Sequence, residues 1–375
     1  MGGAQRGPFR LPPMNPWLLV LGLASVGLAL YDALYTTLGR GGGPATRLLS
    51  RGVWRFTQSR AGGRITGYLF SQLGVVILLV IILVWTALLW AGWSLVFLSA
   101  DGAVVGASSG EPAGDWARVY FVGYTLVTLG LGDYQPVGAA AQMATTAASL
   151  SGLLVLTLAI SYILPVLQAG LQRRATAAAL WGLGATPEEI VRTTWDGDGC
   201  SALESHLVAA APALALLAQQ HLAYPVLHHF HGSRRREALA PSVAALDEAL
   251  SIIEFGLDGG GPSTGALRPA RAAIDALLDR LEDQSVGRAD AAPPPPSLAG
   301  LRRDGYPTCS DADFAKALAE EVCDRRRRLL LGLVEAEGWS WGHVVGTDGG
   351  EDASRSDDVP TGAEVNSGRA SRRAA

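Results

Sequence analysis

The chain has 375 residues, 49% of them hydrophobic and 17% charged, with a formal net charge of −4. It is too apolar for an ordinary soluble protein and too long for a membrane module alone, so a second part is required. Residues 1–175 carry 11 Arg against five acids, net +6, and the remainder carries 19 basic and 29 acidic residues, net −10.

Met1 to Asn15 is Pro-rich and carries Arg6 and Arg10. The apolar run Trp17–Leu38 that follows exceeds a signal core and ends without a small-residue cleavage pattern, which predicts a retained membrane helix. Asp32 lies inside it, where an acid is a functional candidate by default. So near the Arg40 end it is expected to bond a neighbouring helix or an arginine. Arg47, Arg51 and Arg55 recur every four residues, opposite Leu49, Val53 and Phe56, which predicts an interfacial amphipathic helix. A voltage sensor would place Arg every third residue in a long apolar span. With Arg60 and Arg64 this is the most basic loop of the membrane half, so its expected side is the cytoplasm and the N-terminus is expected outside.

Gly74–Leu98 holds 25 uncharged residues, a spanning outer helix with Trp90 and Trp93 as expected interface anchors. After the polar loop Ser99–Gly114 comes DWARVYFVGYTLVTLGLGDYQP, Asp115 to Pro136: a short half-apolar helix pattern with Asp115 as expected N-cap, then Thr128-Leu129-Gly130-Leu131-Gly132-Asp133. A cation leaving water needs oxygens in place of its hydration shell, and backbone carbonyls aimed at an axis supply them. Aiming successive carbonyls alike requires backbone angles that side chains resist, hence Gly130 and Gly132 alternating with Leu129 and Leu131, whose side chains point away. The negative C-terminal end of the preceding helix favours a cation beyond it. Tyr134–Gln172 is uncharged and is closed by Arg173 and Arg174.

The hexapeptide T-x-G-x-G-D resembles the selectivity filter of the potassium channel family, and over Gly67–Ala175 the chain is similar to the second pore loop of two-pore-domain channels. The resemblance implies an outer helix, a pore helix, a filter and an inner helix. Potassium would be held by Thr128, Leu129, Gly130, Leu131 and Gly132, with Asp133 at the outer mouth and the Thr128 hydroxyl adding one ring. One loop per chain implies a homotetramer. Leu131 departs from the family, because many members carry a Tyr there whose hydroxyl bonds behind the filter, and Leu has no donor. Gly152 stands where family members have a hinge glycine, and it equally suits close helix packing. Pro165 removes a helical hydrogen bond and can kink the inner helix, so both are candidate gate residues.

Beyond Arg174 the pattern is helical. Thr186-Pro187-Glu188-Glu189 is a capping box, and helices are expected over Ala202–His221, Ser242–Phe255, Pro269–Glu282 and Ser310–Ala336. Gln284–Asp304, stiffened by Pro293–Pro296, reads as an extended connector with nothing to pack, and the run Arg325–Arg328 as a solvated face or a contact with anionic lipid. His221, His228, His229 and His231 lack metal-ligand spacing and read as packed or surface residues. Cys200, Cys309 and Cys323 likewise lack it, and reduced thiols are expected. No dinucleotide-binding or cyclic-nucleotide fold is recognisable, so the ligand of this part is unassigned.

The expected architecture is an all-α membrane protein: 1–66 an extra membrane helix and the interfacial helix, 67–175 the pore module, 176–340 a cytoplasmic α-helical domain, 341–375 a disordered tail. The expected function is passive, potassium-selective conduction in a plasma (inner) membrane, in contact with lipid. No catalytic residue, nucleic acid partner, metal site or cofactor is expected beyond permeant potassium. Two alternatives stand beside it, a weakly selective sodium and potassium channel and a non-conducting receptor or scaffold with a pore-like loop.

Overall fold

The structure, a computed structural model, describes residues 14–39, 42–57, 67–224, 226–227, 234–284 and 287–347. Arg6, Arg10, Arg40, Arg60, Arg64, His228, His229, His231, the side chains of Arg51 and Arg55, and almost all of the expected tail lie outside the described residues. Among the described residues the fold is helical apart from one two-stranded ladder and isolated bridges, and three helices are long and apolar enough to cross a membrane. The chain divides into two compact units, residues 1–50 with 78–164, and residues 51–77 with 165–375.

In the first unit, α1 (Pro16–Leu38) starts where the Asn15 side chain accepts from the amides of Trp17 and Leu18 and Pro16 sets the first turn. It crosses α3 (Gly67–Leu98) at a glycine pair: a Cβ on Gly22 would lie 2.6 Å from the Gly92 carbonyl oxygen. In lipid, apolar side chains gain little from leaving their surroundings, so close backbone approach supplies the attraction. Asp32 is wholly buried and joins three helices. It accepts from the amide of Ala45 (2.7 Å) and the hydroxyl of Thr46 (2.6 Å) at the start of α2 (Pro44–Thr57), and from the Trp85 indole of α3 (2.8 Å). Of the two expected partners, the neighbouring helix is the one observed among the described residues, and Arg40 lies outside them.

Trp93 is not an interface anchor. It is buried, and its indole donates to the Ser151 hydroxyl on α5 (Ala139–Trp181) at 2.9 Å. The polar loop after α3 contains β1 (Val104–Gly106), antiparallel to β2 (Tyr134–Pro136), with Gly106 opposite Tyr134. Between the strands lies α4 (Asp115–Leu126), which has Gly114 as its cap. Asp115 is inside the first turn because its carboxylate turns to Arg118 rather than to a backbone amide. The 43-residue α5 continues through Pro165, although the Ser161 carbonyl loses its helical donor there. At 1.5 Å per residue it is about 65 Å long, roughly twice a bilayer core.

The second unit is built around α8 (Leu239–Ser251), every residue of which is buried. Around it pack α6 (Pro187–Thr194), α9 (Thr264–Gln284), α12 (Glu321–Ala336) and α13 (Gly342–Val345), while α7 (Leu203–Ala223) lies along α9. The capping box holds: the amide of Glu189 donates to the Thr186 hydroxyl, and the Glu189 carboxylate accepts from the amide of Ala185.

Three expectations fail in this unit. The segment Ser310–Ala336 is two helices, α11 (Asp311–Leu318) and α12, because Glu320 is extended. The break lets α11 pack on the π-helical turn Ile252–Gly256 while α12 packs on α8 and α9. The connector Gln284–Asp304 does pack: Pro293, Pro296, Leu298 and Leu301 are buried, the last within the short α10 (Ala299–Arg303). Proline supplies no amide that needs a partner, and the free carbonyl of Pro294 accepts from Arg327 at 2.9 Å. Of the run Arg325–Arg328 only the two outer residues stay part-exposed, and the two between them are not solvated. Arg327 is 3% exposed and binds Glu248 at 2.6 Å, and Arg326 binds Asp275 at 2.7 Å. A wholly buried helix that carries Asp247 and Glu248 needs cations brought to it, and α12 brings them.

Candidate functional site

Helix α4 ends by handing its last free carbonyls to the loop. The amide of Thr128 donates to Thr125 (3.1 Å) and that of Leu129 to Tyr124 (2.9 Å), which turns the chain back sharply. From there φ is positive at Thr128 (55°), Gly130 (62°) and Gly132 (81°), with Leu129 and Leu131 between them outside the left-handed region. Alternation of this kind is what allows carbonyls along a short loop to face one side. The glycines take these angles freely, whereas a β-branched Thr does so under strain of about 1–2 kcal/mol, a feature the sequence did not announce. The Thr128 hydroxyl donates to the Val127 carbonyl at 2.7 Å, leaving its lone pairs open.

The loop is exposed on both sides. Val127, Leu129 and Leu131 are 65%, 60% and 47% exposed, and Asp133 is exposed. Its exit is tied down: the carbonyl of Asp133 accepts from Ala107 (2.9 Å), and that of Tyr134 from the hydroxyl of Tyr124 (3.1 Å). Tyr124 is the buried residue that sequence reasoning passed over, although an aromatic on the pore-helix pattern one turn before Thr128 was the available signal. Arg118 was passed over too. It is buried, binds Asp115 (2.8 Å) and Asp101 (3.1 Å), and donates to the carbonyl of Phe97 (3.3 Å), so one cation locks the start of α4 to the end of α3. A positive charge at that helix C-terminus is also favourable to the dipole.

Gly152 lies against the far end of α4: a Cβ there would come within 2.1 Å of the Leu126 carbonyl oxygen. The close-packing reading therefore has a geometric basis, and any displacement of α5 here meets the residue from which the loop departs. Pro165 lies 13 residues further along the same helix.

Away from this loop, buried charge gathers in the second unit. Arg271 binds Asp247 and, at 3.3 Å, Glu254. Burial pushes the Glu248 carboxyl up to about 7 against the pull of Arg327. His221 is buried with Nδ1 2.9 Å from the Leu217 carbonyl oxygen, and burial, helped by Arg173, lowers it to about 4. Arg173 itself pairs with Glu337, both side chains buried. Among the described residues no group of three His, Cys, Asp or Glu side chains is placed to hold a metal ion, and all three cysteines are free thiols.

Compared with known proteins, residues 83–169 match the family model described as ion channel. The chain is 34% identical over 331 residues to the uncharacterized membrane protein YdjJ of Bacillus subtilis (strain 168), covering 88% of this chain and 96% of that protein. No solved structure matches.

Proposed function

The chain belongs to the family of that membrane protein and carries an ion-channel domain, and from this premise we propose that four copies form a potassium-selective pore. The observation that carries the reading is the alternation of left-handed φ at Thr128, Gly130 and Gly132 directly after a 12-residue helix, inside the matched region. In this reading backbone carbonyls of Thr128 to Gly132 replace the hydration shell of potassium, and Asp133 concentrates cations at the outer mouth. The large exposed side chains of Leu129 and Leu131 support a multimer, since neighbouring copies would cover them.

Conduction is passive and draws on no catalytic residue, cofactor or nucleic acid, and lipid surrounds the three spanning helices. The basic Arg47 to Arg64 loop and the helical C-terminal unit lie in the cytoplasm, beneath a plasma (inner) membrane. Gly152 and Pro165 are the candidate gate, and the stimulus that moves them is unassigned. A weakly selective channel is the second reading, favoured by the missing donor at Leu131. Purified protein in liposomes under a potassium gradient, with sodium opposite, tests all three readings. Potassium selectivity gives a reversal potential near the potassium equilibrium value, weak selectivity a value near zero, and a non-conducting scaffold no flux.

A further inference from the structure

The amide of Leu129 and the carbonyl of Tyr134 bracket the filter loop, and one residue of α4 holds both. The Tyr124 carbonyl accepts from Leu129 at 2.9 Å, and the Tyr124 hydroxyl donates to the Tyr134 carbonyl at 3.1 Å. Among the described residues, the amides of Gly130, Leu131 and Gly132 find no acceptor within the chain. The loop is thus pinned at its two ends and free in the middle. The ring that carries the hydroxyl is 7% exposed and wedged edge-on against Tyr120 (5.3 Å) and Phe121 (5.5 Å), so its direction is set by packing. Phe121 is in turn edge-on to Phe97 of α3 at 5.2 Å, which ties the wedge to a spanning helix.

We propose that Tyr124 is the selectivity-positioning residue of this pore, its side chain spanning the loop from behind and fixing the width of the filter by bonding the backbone at its exit. The inference rests on the reading of the loop as a potassium filter. In the cavity-size account of selectivity, discrimination between two cations of equal charge depends on how well the ligand cage holds its dimensions. A cage of free carbonyls collapses onto the smaller ion unless something behind it bears the load. Leu131 carries no donor for that task, and the Tyr124 hydroxyl acts three residues further along the chain, on the carbonyl of Tyr134. That bond holds Tyr134 where β2 begins, so the brace and the ladder with β1 reinforce each other at the same residue.

The test is Tyr124→Phe, which removes the hydroxyl and keeps the ring. One lost hydrogen bond corresponds to about a fivefold change in an equilibrium ratio, so the sodium to potassium permeability ratio is expected to rise about fivefold while the oligomer and the potassium current persist. Tyr120→Phe is the control: its ring packs edge-on to Tyr134 at 6.4 Å, but among the described residues its hydroxyl bonds nothing in the loop, so removing that hydroxyl should leave the ratio unchanged. Placing 4-aminophenylalanine at 124 restores a donor at the same point and should bring the ratio back. An unchanged ratio in Tyr124→Phe, in a parent that selects potassium, overturns the inference. So does failure of Tyr124→Phe to assemble while the amino variant assembles, because the bond would then serve folding rather than filter width. A parent that passes ions without preference instead defeats the proposed function, and the two failures are read from different samples.

Discussion

The loop Val127–Asp133 and the helix α8 treat polar groups in opposite ways. On α8 itself both buried carboxylates meet an opposite charge within the chain: Asp247 with Arg271, Glu248 with Arg327. Along the loop, the four successive amides from Gly130 to Asp133 have no acceptor among the described residues, and large apolar side chains are exposed. Burying a charge without a partner costs several kcal/mol, and these two carboxylates find theirs inside one chain. The exposed loop carries no such penalty, which leaves it open to the ion and the further copies that the proposed pore requires. The two regions should therefore fail differently when damaged, one in conduction and the other in stability.

The largest expected effect is that of Gly132→Ala. No atom lies within 4 Å of the position its Cβ would occupy, so the cost arises from φ alone, about 1 kcal/mol or more at 81°. Flux assays should show loss of potassium conduction, with the oligomer unchanged by light scattering. Conduction equal to the parent's would mean that the glycine's angle does not serve the pore. Next comes Arg327→Ala, which strands Glu248 in the core and should destabilise the second unit by about 3–5 kcal/mol in thermal or denaturant unfolding of the full chain. Normal stability there would break the contrast between the two regions.

The pattern of what could be read beforehand follows the same division. Spanning helices, the capping box at Thr186 and the glycine alternation are local signals, set by residues a few positions apart, and each was legible. The fate of Arg325–Arg328 was not, because a charge run looks the same whether it meets water or a carboxylate 79 residues earlier in the chain. The packed connector was missed for a related reason: its prolines announce stiffness, and only the partner surface decides between a free spacer and a buried strap. Tyr124 was hidden by its company, one aromatic among several on α4, until the bond to Tyr134 singled it out.

A smaller effect concerns pH. Burial holds the Glu248 carboxyl near 7, above its usual value of 4.5, with Arg327 pulling the other way. Between these two values the folded chain binds the extra proton and the unfolded chain does not, so stability falls as pH rises through that window and levels off above it. The span of about 2.5 units sets an upper bound of ~3 kcal/mol on this contribution. Comparing unfolding of the parent and Glu248→Gln from pH 4.5 to 8 isolates it: the parent should lose stability more steeply, and parallel curves would show that the ion pair with Arg327 keeps the carboxylate charged throughout.

The smallest expected effect is that of Thr128→Ala, at the opposite end of the loop from Gly132. Threonine holds φ at 55° although a β-branched side chain resists it, and alanine at the same angle is no more strained. What is lost is the hydroxyl, which donates to the Val127 carbonyl and leaves lone pairs for one ring of cation ligands. Every backbone carbonyl stays, as do the Tyr124 bonds to Leu129 and Tyr134. Conduction should therefore survive with the potassium current reduced less than about tenfold, the scale of a single weakened ligand ring. The ordering of the two variants decides between accounts of the loop. If Thr128→Ala abolished flux while Gly132→Ala conducted like the parent, side-chain oxygen rather than backbone geometry would be what the ion meets, and the pore would have to be rebuilt around the hydroxyl.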